Sequence, residues 1–177
     1  MTPRRPLVFL GIEGVISLVT PEVDEKFFNL LQRGRAASAA TVESFFDAPA
    51  CDNLRKLQAE FGAQFVLTSF YAEAIKKSQL SKFFEQAGLN LIVEHMHQHW
   101  CSPFTSWSVR AEEIDDWLRL YGRGKSTFVI LDSPSNGRSL LRSRLLANTV
   151  FCDQSVGFGP QELKRAREIL RNHEAIH

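Results

Sequence analysis

Leu7-Val8-Phe9-Leu10-Gly11-Ile12-Glu13-Gly14-Val15-Ile16 is the stretch that decides the fold. Four apolar residues in a row, closed by a glycine turn, predict a strand buried on both faces that stops abruptly at Gly11. In an open α/β sheet, the loop beyond the carboxyl end of such a strand is where ligands sit. Placed first, with helices to follow on both faces, this strand becomes the central one of a parallel sheet.

The rest of the chain continues the pattern. Residues 64–69, 89–93, 127–132 and 149–153 read as further strands. Helical spacing covers 25–32, 52–61 with Gly62 as its stop, 72–77, 80–87, 109–121, 138–146 and 160–170, the last with Pro160 near its first turn. Strands and helices alternating at this pace predict a three-layer α/β/α sandwich on a parallel sheet, one domain over residues 1–177. Residues 17–24 read as a polar loop, and 33–40 as a loose connection or short insert. Residues 94–108 read as a long loop carrying His95, His97, His99, Trp100 and Trp107; loops of that length are often functional.

The totals fit a globular chain: 177 residues, 44% hydrophobic and 23% charged, enough to bury a core without metal or disulfide help. With 21 basic against 20 acidic residues, no overall field draws in nucleic acid or anionic lipid. Fourteen phenylalanines are expected to fill the core, with a partner surface as the other reading. Cys51, Cys101 and Cys152, odd in number and without CxxC spacing, point to reduced thiols and a cytoplasmic setting. The basic start before Leu7 lacks a signal-peptide pattern. No apolar run approaches the ~20 residues of a membrane span.

The first stretch resembles the first motif of the haloacid dehalogenase (HAD) superfamily, a strand ending in Asp-x-Asp-Gly-Val/Thr. The resemblance extends to Thr68 after Val66-Leu67, to Arg110 opening Val109-Arg110-Ala111-Glu112-Glu113-Ile114, and to Asp132 after Ile130-Leu131. It implies that Thr68, with Ser69 beside it, and Arg110 hold a phosphoryl group, and that Asp132 ligates magnesium. A narrower likeness lies in Arg110-x-x-Glu113-Ile114-x-x-Trp117-Leu118 and Asp153-x-x-x-Gly157-Phe158. Those elements are similar to the small HAD domain found beside bacterial RNA-repair modules, over nearly the whole chain. The insert at about 17–50 stands where the superfamily places a cap and is too short for one, which implies little or no cap.

The departures bear on function. Where the superfamily has its nucleophilic, magnesium-binding Asp the chain has Gly11, and where it has the acid/base Asp the chain has Glu13. Glycine neither attacks phosphorus nor ligates a metal, and losing a covalent nucleophile removes most of the rate. Ser133-Pro134-Ser135-Asn136 follow Asp132 where further acids are common, and Tyr71-Ala72 replace Trp-Arg. The resemblance therefore implies a catalytically inactive module without a cofactor that binds a protein, a nucleic-acid end or a phosphorylated ligand. The alternatives are a magnesium-dependent phosphatase with Glu13 and Asp132 as metal ligands, and a purely structural subunit. Each site residue also has a bland reading: Thr68 and Asp132 as caps, Arg110 paired with Glu113, Glu13 paired with Arg110. His95, His97 and His99 with Cys101 suggest zinc but lack a fixed fourth ligand. Gly122-Arg123-Gly124-Lys125 lacks phosphate-loop spacing.

Overall fold

The computed structural model describes residues 5–174 except 19, 36, 106 and 123–125, with side chains as far as residue 172. Strands β1 (Leu7–Leu10), β2 (Gln64–Leu67), β3 (Met96–Cys101), β4 (Phe128–Asp132) and β5 (Thr149–Phe151) form one parallel sheet in the order β3-β2-β1-β4-β5. Helices α1 (Pro21–Gln32), α2 (Ala39–Phe45), α3 (Ala48–Phe61), α4 (Phe70–Ala74), α5 (Lys77–Gln86), α6 (Asn90–Glu94), α7 (Arg110–Tyr121) and α8 (Pro160–Glu174) connect and cover it. β1 is the central strand and every one of its residues is buried.

Side chains alternate across a strand, so β1 feeds two cores. Val8 and Leu10 point with Phe65, Leu67, Val129 and Leu131 into a layer made with α1–α3, α5, α6 and α8. Leu7 and Phe9 point with Val66 and Ile130 to the other face, against Ala111, Ile114 and Trp117 of α7 and Leu140 and Leu145 beyond β4. This is the three-layer α/β/α sandwich with little or no cap. The short insert is folded into the first layer: Phe27, Phe45 and Phe83 stack within 4.2–5.5 Å of one another. Of the fourteen phenylalanines, only Phe70 and Phe104 are exposed.

Several boundaries differ from the sequence reading. The loop at 17–24 already contains the start of α1, because Pro21 occupies the first helical turn, where its missing N–H costs nothing. The loose connection contains α2, started by Ser38, whose hydroxyl accepts from the Thr41 amide at 3.2 Å. α3 starts at Ala48 instead of residue 52, capped by Asp47, which accepts from the Ala50 amide at 2.9 Å.

The third strand is Met96–Cys101, not 89–93, so half of the long loop is the edge of the sheet. Leu89 and Ile92 are buried one helical turn apart, and a five-residue apolar run cannot by itself separate strand from helix. In place of one helix over 138–146, two short 3-10 turns are found, Arg138–Arg142 and Leu146–Asn148. Arg123, Gly124 and Lys125 lie outside the described residues. Among the described residues no helix is long and apolar enough to cross a membrane.

Phe83 is fully buried where α1, α2 and α5 meet. Phe83→Ala is expected to lower the unfolding free energy by about 3–5 kcal/mol, measured by urea denaturation. A loss below about 1 kcal/mol would show that the insert contributes little to the fold.

Candidate functional site

Going from β1 to β2 to β3 the sheet grows to one side; β4 and β5 lie on the other side of β1. The order therefore reverses between β1 and β4, and the crevice beyond the carboxyl ends there is the expected ligand position. Leu10 pairs with Leu67 on one side and Leu131 on the other. The next residue on each strand, Gly11, Thr68 and Asp132, thus stands in one row. The Gly11 amide donates to the Leu131 carbonyl at 2.9 Å, and the Thr68 amide to the Leu10 carbonyl at 3.0 Å.

After Gly11 the chain turns back on itself, with the amides of Val15, Ile16 and Ser17 all donating to the Ile12 carbonyl. Gly14 has φ +74°, and a Cβ there would meet the Ser133 Cβ at 2.7 Å. A second left-handed glycine, Gly157 at φ +68°, lets the loop after β5 lie against the Val15 carbonyl. The Phe158 amide donates to that carbonyl at 2.8 Å. Only glycine makes both approaches without strain.

Arg110 opens α7 as expected and reaches the row. Its Nε donates to Asp132 Oδ2 at 2.9 Å and its Nη1 to Glu113 Oε2 at 2.8 Å. Asp132 is wholly buried, and its Oδ1 accepts from the Ser133 amide at 2.8 Å. Burial pushes its carboxyl up to about 6, against the pull of Arg110 and the Ser133 amide. Glu113 is also buried and accepts from the Ser108 hydroxyl at 3.0 Å.

Glu13 makes no ion pair with Arg110; it accepts from the Ser69 hydroxyl at 2.8 Å. Its carboxyl is raised above the usual range by burial, opposed by its own backbone amide and Ser69, and raised further by nearby Asp24. Ser69, not Thr68, caps the next helix, accepting from the Tyr71 amide at 3.1 Å. The Thr68 hydroxyl is buried with no hydrogen-bond partner among the described residues.

Two features of the site were not singled out in the sequence. Asp24 comes in from α1 and accepts from the Tyr71 hydroxyl at 2.8 Å. Phe70, the first residue of α4, stands exposed at the rim together with Phe104. A depression of about 410 Å³ lined by Glu13, Ser17, Asp24, Phe70, Asn136 and Gln154 opens here, and Phe70 and Asn136 also wall a second one of about 300 Å³ over Arg110. Nothing in one sequence marks Asp24, because its partner Tyr71 lies 47 residues away.

Magnesium takes six oxygens in near-ideal octahedral geometry. Gly11 brings no side-chain oxygen, which leaves Asp132, paired with Arg110, and Glu13, hydrogen-bonded to Ser69, as the carboxylates at this edge. Among the described residues no three His, Cys, Asp or Glu side chains gather as a metal cage. As arranged, these donors do not fit the ion. The same holds for zinc at 95–101: His97 meets Trp117 edge-on at 4.9 Å, and His99 stacks on Tyr121 at 3.7 Å. The three cysteines are unpaired thiols, and burial pushes that of Cys51 up to about 12.

A parallel sheet in this order, with a hydroxyl, a buried acid and a helix-borne arginine meeting at its switch point, is the architecture of the haloacid dehalogenase superfamily. Residues 7–163 match the family model described as the HAD domain in Swiss Army Knife RNA repair proteins, and the chain belongs to that family. Comparison with curated proteins and with solved structures gives no match.

Asp132 also makes stability depend on pH. A carboxyl raised from 3.8 to about 6 on folding binds more protons folded than unfolded, so stability falls as pH climbs through that window. Relative to the unchanged chain, Asp132→Asn is therefore expected to gain about 2 kcal/mol between pH 4 and 6.5. Denaturant unfolding at a series of pH values measures this; parallel curves would place the titration on another group.

Proposed function

We propose that the chain is a catalytically silent member of its family that works as a binding or regulatory module. The observation that carries this is position 11. It is a glycine in the place of the attacking carboxylate, and a Cβ there would stand 3.2 Å from Asp132 Oδ1, 3.2 Å from the Leu131 carbonyl and 3.3 Å from Val15 Cγ2. A side chain there would sit closer than ordinary van der Waals contact to all three neighbours.

The groups expected to hold a phosphoryl group support the same reading. Arg110 is paired with Asp132 and Glu113, and Ser69 with Glu13 and the Tyr71 amide. Asp132 and Glu113 share the Arg110 guanidinium, Glu13 and Asp24 line the adjoining depression, and Arg138 is the other cation on its walls. That balance repels a dianionic phosphate. The family description places related domains in RNA repair proteins, and a nucleic-acid end would meet the same repulsion. Phe70 and Phe104, exposed at the rim, favour a partner presented to the mouth.

The chain is expected to release no product from p-nitrophenyl phosphate in magnesium above a metal-free control. Magnesium-dependent turnover would overturn the reading in favour of a phosphatase built on Glu13 and Asp132. Gly11→Asp is expected to destabilise by about 1–3 kcal/mol without metal, through crowding and a second carboxylate beside Asp132. A thermal shift with and without magnesium should show recovery in that variant and none in the unchanged chain.

A further inference from the structure

Of the fourteen phenylalanines, the two that stand exposed wall the same depression. Phe70, 51% exposed, comes from the start of α4, and Phe104, 42% exposed, from the segment after β3. Val109, 46% exposed just before α7, adds a third apolar side chain to the walls. Phe28 supports the Phe70 ring from behind at 5.1 Å. Three separate segments thus bring exposed apolar groups to one cleft of about 300 Å³.

A second, electrostatic observation lies on the same walls. Arg138 is exposed and, among the described residues, makes no ion pair. The other charged groups there, Arg110 and Glu113, are paired with each other at 2.8 Å. The cleft therefore offers one unmatched positive charge beside its apolar side chains. It also continues sideways, since Phe70 and Asn136 wall the neighbouring depression as well. A chain can pass along the mouth instead of ending in it.

We propose that this surface docks an extended segment of another protein. One aromatic or large aliphatic side chain sits among Phe70, Phe104 and Val109, and an adjacent Asp or Glu pairs with Arg138. The inference rests on the reading of the chain as a binding module and names the chemistry of its partner. Exposed apolar groups gathered in one place gain by burial against another apolar group. Aromatic residues and arginine are the types that interfaces select. The volume suits one large side chain of a passing segment. A nucleic-acid strand instead needs a row of cations along its backbone, and among the described residues Arg138 is the one cation on these walls without an acid paired to it.

The test is a titration of the ¹⁵N-labelled chain with acetyl-Gly-Asp-Phe-Gly-amide and, separately, acetyl-Gly-Phe-Asp-Gly-amide. Each carries one ring and one carboxylate, and the two orders cover both chain directions. At least one is expected to give saturable shifts of the Phe70, Asn136, Arg138 and Ser139 amides. Asn in place of the peptide's Asp should weaken binding about threefold, the scale of an exposed ion pair. Ala in place of its Phe should weaken binding more than about tenfold. Arg138→Gln should bind the Asp and Asn peptides alike, whereas Arg138→Lys should keep the preference for Asp. Phe104→Ser should narrow the gap between the Phe and Ala peptides. Both side chains are exposed, so the amide spectrum elsewhere should stay unchanged.

The inference is overturned by an absence of saturable shifts with both peptides, or by a preference for Asp that survives Arg138→Gln. It is equally overturned if uridine monophosphate takes the same amides and displaces the peptides, which would assign the surface to a nucleotide. Silence with the peptides beside silence toward p-nitrophenyl phosphate removes this inference alone. Magnesium-dependent turnover removes the reading beneath it.

Discussion

The guanidinium of Arg110 lies between two carboxylates that are almost fully withdrawn from water, Asp132 at 0% and Glu113 at 3% exposure. A buried ion pair of this kind contributes little net stability, yet removing one partner strands a charge and costs several kcal/mol. Its effect is on arrangement. It fixes the start of α7 to the end of β4, so the helix that covers the second face of the sheet is anchored at the switch point. One positive charge is thereby shared between two acids.

The layers behind that anchor follow from patterning. β1 lies in the middle because Leu7 to Leu10 offers apolar side chains to both faces, and β2 and β4 do the same. These strands, the helix starting at Arg110 and the stop at Gly62 were all legible, since each rests on a run of residues whose spacing has one physical solution. The small insert was not. Its helices depend on aromatic contacts between α1, α2 and α5, partners far apart in sequence, and the Ala-rich stretch before Thr41 has no periodicity of its own.

The candidate site divides the same way. Gly11, Thr68 and Asp132 were readable because each follows a buried strand, and Arg110 because it opens the next helix, at positions the family resemblance marks. Which group pairs with which was not readable. Glu13 turns to Ser69 instead of Arg110, and Thr68 is left without a partner while Ser69 caps the helix. Such choices are settled by how side chains from separate elements pack against one another. Asp24, Ser17 and Phe70 join the site only once α1 and α4 fold over it, and sequence spacing holds no trace of that. The apolar run at 89–93 misled for a simpler reason: the true edge strand carries His97, Gln98 and His99, so it lacks the apolar signature of its neighbours.

That edge strand has a consequence for how molecules of this protein meet one another. Where β2 advances from Phe65 to Leu67, β3 advances from Met96 to Cys101, so the strand bows instead of running straight. Within the bow, the His99 amide is taken by the Nδ1 of His97 at 3.0 Å, and the His99 carbonyl by the indole N–H of Trp117 at 2.8 Å. A straight row of free backbone donors and acceptors is what lets one sheet recruit a strand from another and grow into aggregates. Here the row is bent and partly capped by the strand's own imidazole and by α7. The polar character that hid this strand in the sequence also guards that end of the sheet against self-association.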